Sequence, residues 1–410
     1  MNPIARPAYL DWLTRWRDKD VIKVVSGVRR CGKSTLLELF QAHLLAKGVR
    51  PDRIISINFE SIENERLTDH RALYNHVAAN LAPGQTTYVF LDEIQQVGHF
   101  ERAVDALFVL DGCDLYLTGS NAYLMSSELG TLLSGRYVEL KMLPLSFAEF
   151  ADGIERITPG LSNAEKFERY VRNGSLPYTV ALADDERNIR EYLDDVYHSI
   201  LLKDVVERFK ITEVATLERI ARFLSGNIGS LVSTRNIVNT LKSSGRSADQ
   251  KTVDKYVRGL TESLLFYEVP RWNIKGKDVL VRLSKFYAVD TGLRANLVAG
   301  SASDVGHILE NIVFLELLRR GFAVYVGQLD SKEVDFVAVA GNDFCYYQVA
   351  ASALDPATLE RELAPLRKIP DSYPKYLITL DTIFKDGNIE GIRKMNAIDW
   401  LLAAPGEGIQ

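Results

Sequence analysis

The sequence predicts an α/β chain: a parallel sheet covered by helices on both faces, followed by two smaller modules. Three observations carry this. Five short apolar runs, at 21–26, 53–59, 88–92, 115–119 and 137–143, alternate with helical patterns such as Phe100, Val104, Leu107 and Phe108. Near-continuous apolar strands alternating with helices indicate a parallel sheet buried on both sides. A glycine-rich loop joins the first strand to the first helix. Beyond residue 210 the alternation gives way to three helices and two strands, and then to a mixed segment.

The first run, Val21-Ile22-Lys23-Val24-Val25, is β-branched and reads as a buried strand. Gly27-Val28-Arg29-Arg30-Cys31-Gly32-Lys33-Ser34-Thr35 follows it and satisfies G-x-x-x-x-G-K-[ST] at every required position. Leu36, Leu37, Phe40 and Leu44 then recur at helical spacing up to Gly48, a C-cap residue. Strand, glycine loop and helix aim backbone N–H groups and a positive helix end at a polyphosphate. Gly27 and Gly32 admit the loop conformation and the close approach of the backbone. Lys33 supplies charge for the β- and γ-phosphates, Ser34 a hydroxyl for Mg²⁺, and Thr35 a contact to the α-phosphate. Arg29, Arg30 and Cys31 complete the loop, Cys31 as a small buried filler or a redox-sensitive thiol. The expected ligands are ATP or ADP with Mg²⁺.

The third run, Tyr88-Val89-Phe90-Leu91-Asp92-Glu93-Ile94, ends in two carboxylates. At a strand end facing the phosphate loop, Asp92 is placed to hold Mg²⁺ through its water shell, and Glu93 to orient and deprotonate a water. The fourth run closes in Leu117-Thr118-Gly119-Ser120-Asn121, where Asn121 or Ser120 fits a γ-phosphate sensor or, equally, a helix cap. Arg136 precedes the fifth run. It fits an arginine finger, in cis or from a neighbouring subunit, or a structural ion pair.

From Ser146 to Lys210 the pattern is polar and helical, broken at Gly174-Ser175-Leu176-Pro177, and reads as a helical lid and connector whose Lys203, Asp204, Glu207 and Arg208 lie on solvated faces. The next segment, 211–285, holds 13 Lys/Arg against 7 Asp/Glu, a net of +6 that leaves −11 on the rest of the chain. Its helices carry Leu217, Ile220 and Leu224, then Ser233 as a cap, then Val253, Tyr256, Val257 and Leu260. Two strands joined by Lys275-Gly276-Lys277 follow. That is the plan of a winged helix-turn-helix. Gln250, Lys251, Thr252, Lys255 and Arg258 then face outward on a recognition helix, with Lys275 and Lys277 at the wing tip, all suited to DNA. The same plan serves modules that bind protein.

The final 125 residues place Glu310 and Asn311 on an apolar helix, Asp335 at the start of one strand and Gln348-Val349-Ala350 on the next. A helix glutamate, a strand aspartate and E-x-K form the restriction-endonuclease-like arrangement, whose acids hold a metal and whose lysine acts on the nucleophile. Here the second acid is the amide Gln348 and the lysine position is Ala350. Lys332, from the neighbouring loop, is a weaker substitute for it. The expectation is a nuclease-like α/β fold without cleavage.

At 410 residues the chain exceeds one ordinary core. Its net charge of −5 is mild, and its three cysteines lack metal-ligand spacing. No apolar run reaches the ~18 residues of a membrane span. The start, Met1-Asn2-Pro3-Ile4-Ala5-Arg6, has no signal-peptide core. A cytoplasmic location without membrane attachment is expected.

GVRRCGKST, YVFLDEIQ, LTGSNAYL and LSGRYVELKMLPLSFAEF, in this order, resemble a family of bacterial and archaeal P-loop ATPases that join an AAA-type domain to a C-terminal domain of unknown function. NGSLPYTV, YLDDVYHSILLKDVVER, YAVDTGLR, LENIVFLEL and EVDFV extend the resemblance over most of the chain. It implies an ATPase module with winged-helix and nuclease-like modules attached. The domains expected are 1–145 (ATPase), 146–210 (lid), 211–285 (winged helix) and 286–410 (inactive nuclease-like). The expected activity is Mg²⁺-dependent ATP hydrolysis driving a conformational change in DNA-binding modules, on duplex or branched DNA. A signalling switch that binds protein and an ATP-dependent nuclease are the alternatives. Homo-oligomers are compatible with each.

Overall fold

The computed structural model describes residues 3–120, 135–183, 185–243, 245, 248–298 and 304–404, and only the backbone of Ser120, Val281 and Arg282. The chain divides into two compact units, 1–144 with 262–264, and 145–261 with 265–410.

The first unit carries all five expected strands: β1 (Ile22–Gly27), β2 (Ile54–Asn58), β3 (Thr87–Asp92), β4 (Cys113–Ser120) and β5 (Tyr137–Met142). They form one parallel sheet in the order β2-β3-β4-β1-β5. On one face Val24, Ile57, Val89, Leu91 and Leu117 pack against Leu73, Val77, Val104 and Leu107 of α3 (His70–Ala79) and α4 (Phe100–Phe108). The other face is covered by α2 (Lys33–Ala46), whose Phe40 meets Phe90 and Tyr116. α1 (Pro7–Trp16) packs on α2. Both sheet faces are therefore dry, as the unbroken apolar strands require. The order places β4 between the phosphate-loop strand β1 and the acidic strand β3, so residues at the β4 carboxyl end stand between the two motifs.

The second unit opens with helices α5 (Phe147–Ile157) and α6 (Asn163–Asn173), each started by a serine–glutamate capping box, Ser146 with Glu149 and Ser162 with Glu165. α7 (Pro177–Ala181) and α8 (Glu186–Ser199) follow, and α8 runs on as a π-helical stretch, Ile200–Glu207. Asp204 in that stretch is buried and Lys203 exposed, so only the lysine lies on the solvated face expected of both. The segment expected to be a lid clusters with this C-terminal unit.

Next come α9 (Val214–Gly226), β6 (Leu231–Val232), α10 (Thr234–Ser243), α11 (Gln250–Glu262), β7 (Phe266–Asn273) and β8 (Asp278–Ala288). β6 and β7 both pair antiparallel with β8. The hairpin does not end there. β7 also pairs in parallel with β9 (Ala323–Leu329), and the sheet continues through β10 (Lys332–Ala340), β11 (Asp343–Ala350), β12 (Lys375–Thr379), β14 (Ile392–Asn396) and β13 (Gly387–Ile389), nine strands in all among the described residues. The expected boundary at 285/286 falls inside β8. The segments expected to be a winged helix and a nuclease-like module share one sheet, because the β7 edge is completed by β9 rather than left to solvent.

Four helices complete the unit: α12 (Thr291–Leu297), α13 (Val305–Arg319), α14 (Pro356–Arg367) and α15 (Ala397–Leu402). Asn311 of α13 bonds both the N–H (2.7 Å) and the carbonyl (2.8 Å) of Ala288, tying helix to strand end. Asp290, fully buried, accepts hydrogen bonds from the Ser175 N–H (2.5 Å) and hydroxyl (2.7 Å). The NGSLP and DTGLR segments thus lock onto each other.

Candidate active site

The phosphate loop lies at the carboxyl end of β1. Gly32 has φ +102°, a left-handed conformation that glycine adopts without strain. A Cβ on Gly27 would stand 2.4 Å from the Met142 carbonyl oxygen, so glycine is required there by the neighbouring strand. Lys33, first residue of α2, is buried and donates to the carbonyls of Gly27 (3.0 Å) and Val28 (3.3 Å). Cys31 is buried and its thiol pushed up by burial, which accords with a small filler in the loop. Arg29 reaches Glu60 at 3.5 Å, Arg30 is exposed at φ +67°, and Thr35 follows Ser34 in the first turn of α2.

A support that the sequence motifs do not reveal is Arg6. It is buried and donates to the carbonyls of Cys31 (3.3 Å) and Leu143 (2.8 Å), fastening the loop to the chain that leaves β5. Its signal was an arginine among apolar residues near the start of the chain.

Asp92 ends β3 and is held from three directions. The Thr118 hydroxyl donates to Oδ1, Asn58 Nδ2 donates to Oδ2 at 3.1 Å, and Ser34 adds a hydrogen bond. Burial lifts this carboxyl above its ordinary value, and the bonds from Thr118 and Ser34 pull it back. A carboxylate and a serine hydroxyl brought together beside the loop are hard oxygen donors, which suit Mg²⁺.

Glu93, also buried, has φ +57°, an uncommon left-handed backbone for a side chain of its size. Its N–H donates to Thr118 Oγ1 at 3.0 Å. Its carboxylate is shared: Oε1 lies 3.9 Å from Lys33 Nζ, and Oε2 accepts from Gln95 Nε2. Thr118 therefore positions both acids of the motif, and Asn58 one of them. The sequence marks Thr118 only as part of a strand end, because its role depends on the strand order.

Asn121 lies outside the described residues, and Ser120 is described only in its backbone. Arg136 is a correction. Its carbonyl accepts from Ile22 N at 2.8 Å, so it sits at the amino-terminal edge of the sheet. The phosphate loop begins five residues along β1, about 17 Å away at ~3.3 Å per residue. There Arg136 faces Asp105 (3.9 Å) and the Phe108 ring. A cis arginine finger is excluded by that placement.

In the second unit Glu310, Asp335 and Gln348 do come together, around a residue that no motif singles out. Lys285 of β8 is buried and lies 2.8 Å from Glu310, 2.7 Å from Glu333 and 3.7 Å from Asp335. Tyr287 donates to Glu310 at 2.5 Å. Gln348 Nε2 donates to Glu362 (2.8 Å), and Asp335 accepts from Val349 N (2.8 Å). A register shift in β10 between Val334 and Val337 carries Asp335 into this cluster. The cluster's lysine thus comes from β8, and Lys332 is not a partner in these contacts. Burial, and then the Glu310 charge, push Asp335 up to about 8, against the pull of Lys285. Among the described residues no trio of His, Cys, Asp or Glu is arranged to hold a metal ion. The signal for Lys285 was a charge inside the apolar run LSKFYAV.

On α11 Lys251 is exposed and Lys255 half-buried, while Thr252 N caps onto Asp249 at 2.7 Å. Lys275 is bonded to both oxygens of Asp330 (2.8 and 2.9 Å), and Lys277 lies over the Phe344 ring. The wing lysines are therefore tied to the sheet surface. No described helix is long and apolar enough to cross a membrane.

Residues 19–151 match the model of an AAA domain, and residues 164–304 that of a domain of unknown function, DUF8612. An uncharacterised protein of Haemophilus influenzae is 38% identical over 405 residues, covering 97% of this chain and 98% of its own length. An uncharacterised protein of Methanocaldococcus jannaschii is 30% identical over 364 residues, covering 85% of this chain and 78% of its own. Among solved structures, a Walker-type ATPase of Pyrococcus abyssi superposes with a TM-score of 0.50 at 16% identity, over 72% of this chain and 95% of that one.

Proposed function

Since the chain belongs to a family of AAA-type P-loop ATPases with a separate C-terminal domain of unknown function, we propose that it couples Mg²⁺-dependent ATP hydrolysis to a change in C-terminal modules that bind DNA. The observation that carries the catalytic part is the shared Glu93 carboxylate, 3.9 Å from Lys33 and next to an Asp92 that Thr118, Asn58 and Ser34 hold in place. Lys33 binds the β- and γ-phosphates. Ser34 and Asp92 hold Mg²⁺, which when bound neutralises developing phosphate charge. Glu93 takes the proton of the attacking water. Lys33→Ala removes nucleotide binding or turnover, whereas Glu93→Gln retains ATP and hydrolyses it slowly. Turnover of Glu93→Gln at the wild-type rate would show that another group is the base.

DNA binding is supported by the net +6 of residues 211–285 and by Lys251 on the outer face of α11. Changing Lys251, Lys255 and Lys277 together to Glu lowers affinity for duplex or junction DNA and flattens its salt dependence, by about one unit of slope for each phosphate no longer neutralised. Gel shifts across a salt series, read together with DNA-stimulated ATPase rates, test this. Unchanged affinity in the triple variant removes the DNA reading. It would leave a signalling switch whose C-terminal modules bind protein, a reading favoured by the engagement of Lys275 with Asp330. An ATP-dependent nuclease has the least support, because Gln348 is spent on Glu362. Cleavage of supercoiled or branched DNA that Asp335→Ala abolishes would restore it.

A further inference from the structure

Beside the catalytic acids stands a glutamine whose amide NH₂ is engaged by the carboxylate of Glu93. Gln95 lies on the single 3₁₀ turn Ile94–Gln96 that follows Glu93. Its contact with Glu93 Oε2 fixes which end of the amide is which, since a carboxylate only accepts and the amide must present its NH₂. The other end, Gln95 Oε1, is then buried without a hydrogen-bond partner among the described residues. The turn is anchored rather than loose. Gln96 N and Val97 N bond back to Glu93 and Ile94, and Gly98 N donates to the Thr68 carbonyl at 2.8 Å. The amide is thus held against the base by backbone geometry.

We propose that Gln95 is a positioning residue for hydrolysis. Its Nε2 fixes the Glu93 carboxylate in the orientation that takes a hydrogen of the attacking water. This rests on the reading of Glu93 as base. In the step, the water oxygen bonds to the γ-phosphorus while the bond from that phosphorus to the bridging oxygen of ADP breaks. ADP leaves with the electron pair, and the water proton passes to Glu93. Gln95 neither gains nor loses a proton. The amide supplies the N–H donor that the carboxylate needs, while its own acceptor stays buried away from water. Glutamate at this position keeps the shape, loses the donor and sets a second negative charge beside Glu93.

The test uses the full chain. Gln95→Ala lowers kcat by about 10²-fold, the scale of a misplaced reacting group, with KM for ATP within about threefold of wild type. The isosteric Gln95→Glu, which preserves packing, falls at least as far. Affinity for a non-hydrolysable ATP analogue stays unchanged, while affinity for ADP with aluminium fluoride, a transition-state mimic, drops by about the same factor as kcat. Because Gln95 acts through Glu93, Gln95→Ala added to Glu93→Gln slows turnover no further. Wild-type kcat in both Gln95 variants would overturn the proposal. So would equal weakening of the ATP analogue and the mimic, which marks a structural role, or multiplicative losses in the double variant. Failure of the base assignment shows separately, as a fast Glu93→Gln.

Discussion

Each unit of this protein gathers a buried lysine and several carboxylates, yet the two gatherings differ in kind. In the first unit Lys33 rests on two backbone carbonyls and stands 3.9 Å from Glu93, whose other oxygen is held by Gln95. In the second, Lys285 is within 2.8 Å of both Glu310 and Glu333, Tyr287 adds a bond to Glu310, and Asp335 takes a backbone N–H. The first arrangement keeps charge and hydrogen-bonding capacity in reserve at a loop built for phosphate. The second spends its capacity internally. Residue types alone do not make a site; what matters is whether their valences are already filled.

Exchanging each lysine breaks the comparison most sharply. Lys33→Ala reduces ATP turnover to background with the fold intact by circular dichroism. Lys285→Met leaves three acids facing one another without their cation and destabilises the second unit by about 3–5 kcal/mol, measured by denaturant unfolding. Retained ATPase in the first or unchanged stability in the second would erase the distinction. A pH series sharpens it further. Asp335 has its folded value raised to about 8, so the native state holds a proton that the unfolded chain releases above the ordinary carboxylate range. The stability this provides is complete below about pH 4 and is lost as pH rises toward 8. Asp335→Asn removes that decline, visible as a flatter plot of unfolding midpoint against pH between about 5 and 8. The smallest effect belongs to Arg136→Ala. Its contact with Asp105 is long and half-exposed, so stability changes by about 0.5 kcal/mol or less and turnover at low protein concentration is unaltered. A loss that appears only as concentration rises would assign Arg136 to a neighbouring copy's site.

The parts of this molecule that could be read from the sequence are those whose chemistry is local. Gly32, Lys33 and Ser34 act within one loop, and Asp92 and Glu93 at one strand end, so spacing alone identifies them. The five strands of the first unit were legible for the same reason: apolar runs record burial on both faces. Thr118 and Asn58 were not, because they reach Asp92 only through the order β2-β3-β4, which no periodicity encodes. Lys285 was hidden more deeply. It lies on β8, well ahead in the sequence of the acids it meets, and only the pairing of β7 with β9 brings the two regions into one sheet. The cis reading of Arg136 failed because a parallel strand has two ends, and sequence adjacency to β5 does not say which one faces the nucleotide; the ion-pair reading matches its contact with Asp105.

The shared nine-stranded sheet also bears on how such a protein can be inherited. β8 runs from the hairpin turn through Lys285 to Ala288, so a crossover that cut the gene between residues 285 and 286 would sever a strand and part β7 from β9, leaving bare edges. Neither piece would then hold a complete sheet of its own. Whatever the helices of residues 214–262 recognise, any fragment that keeps β8 whole keeps Lys285 with them.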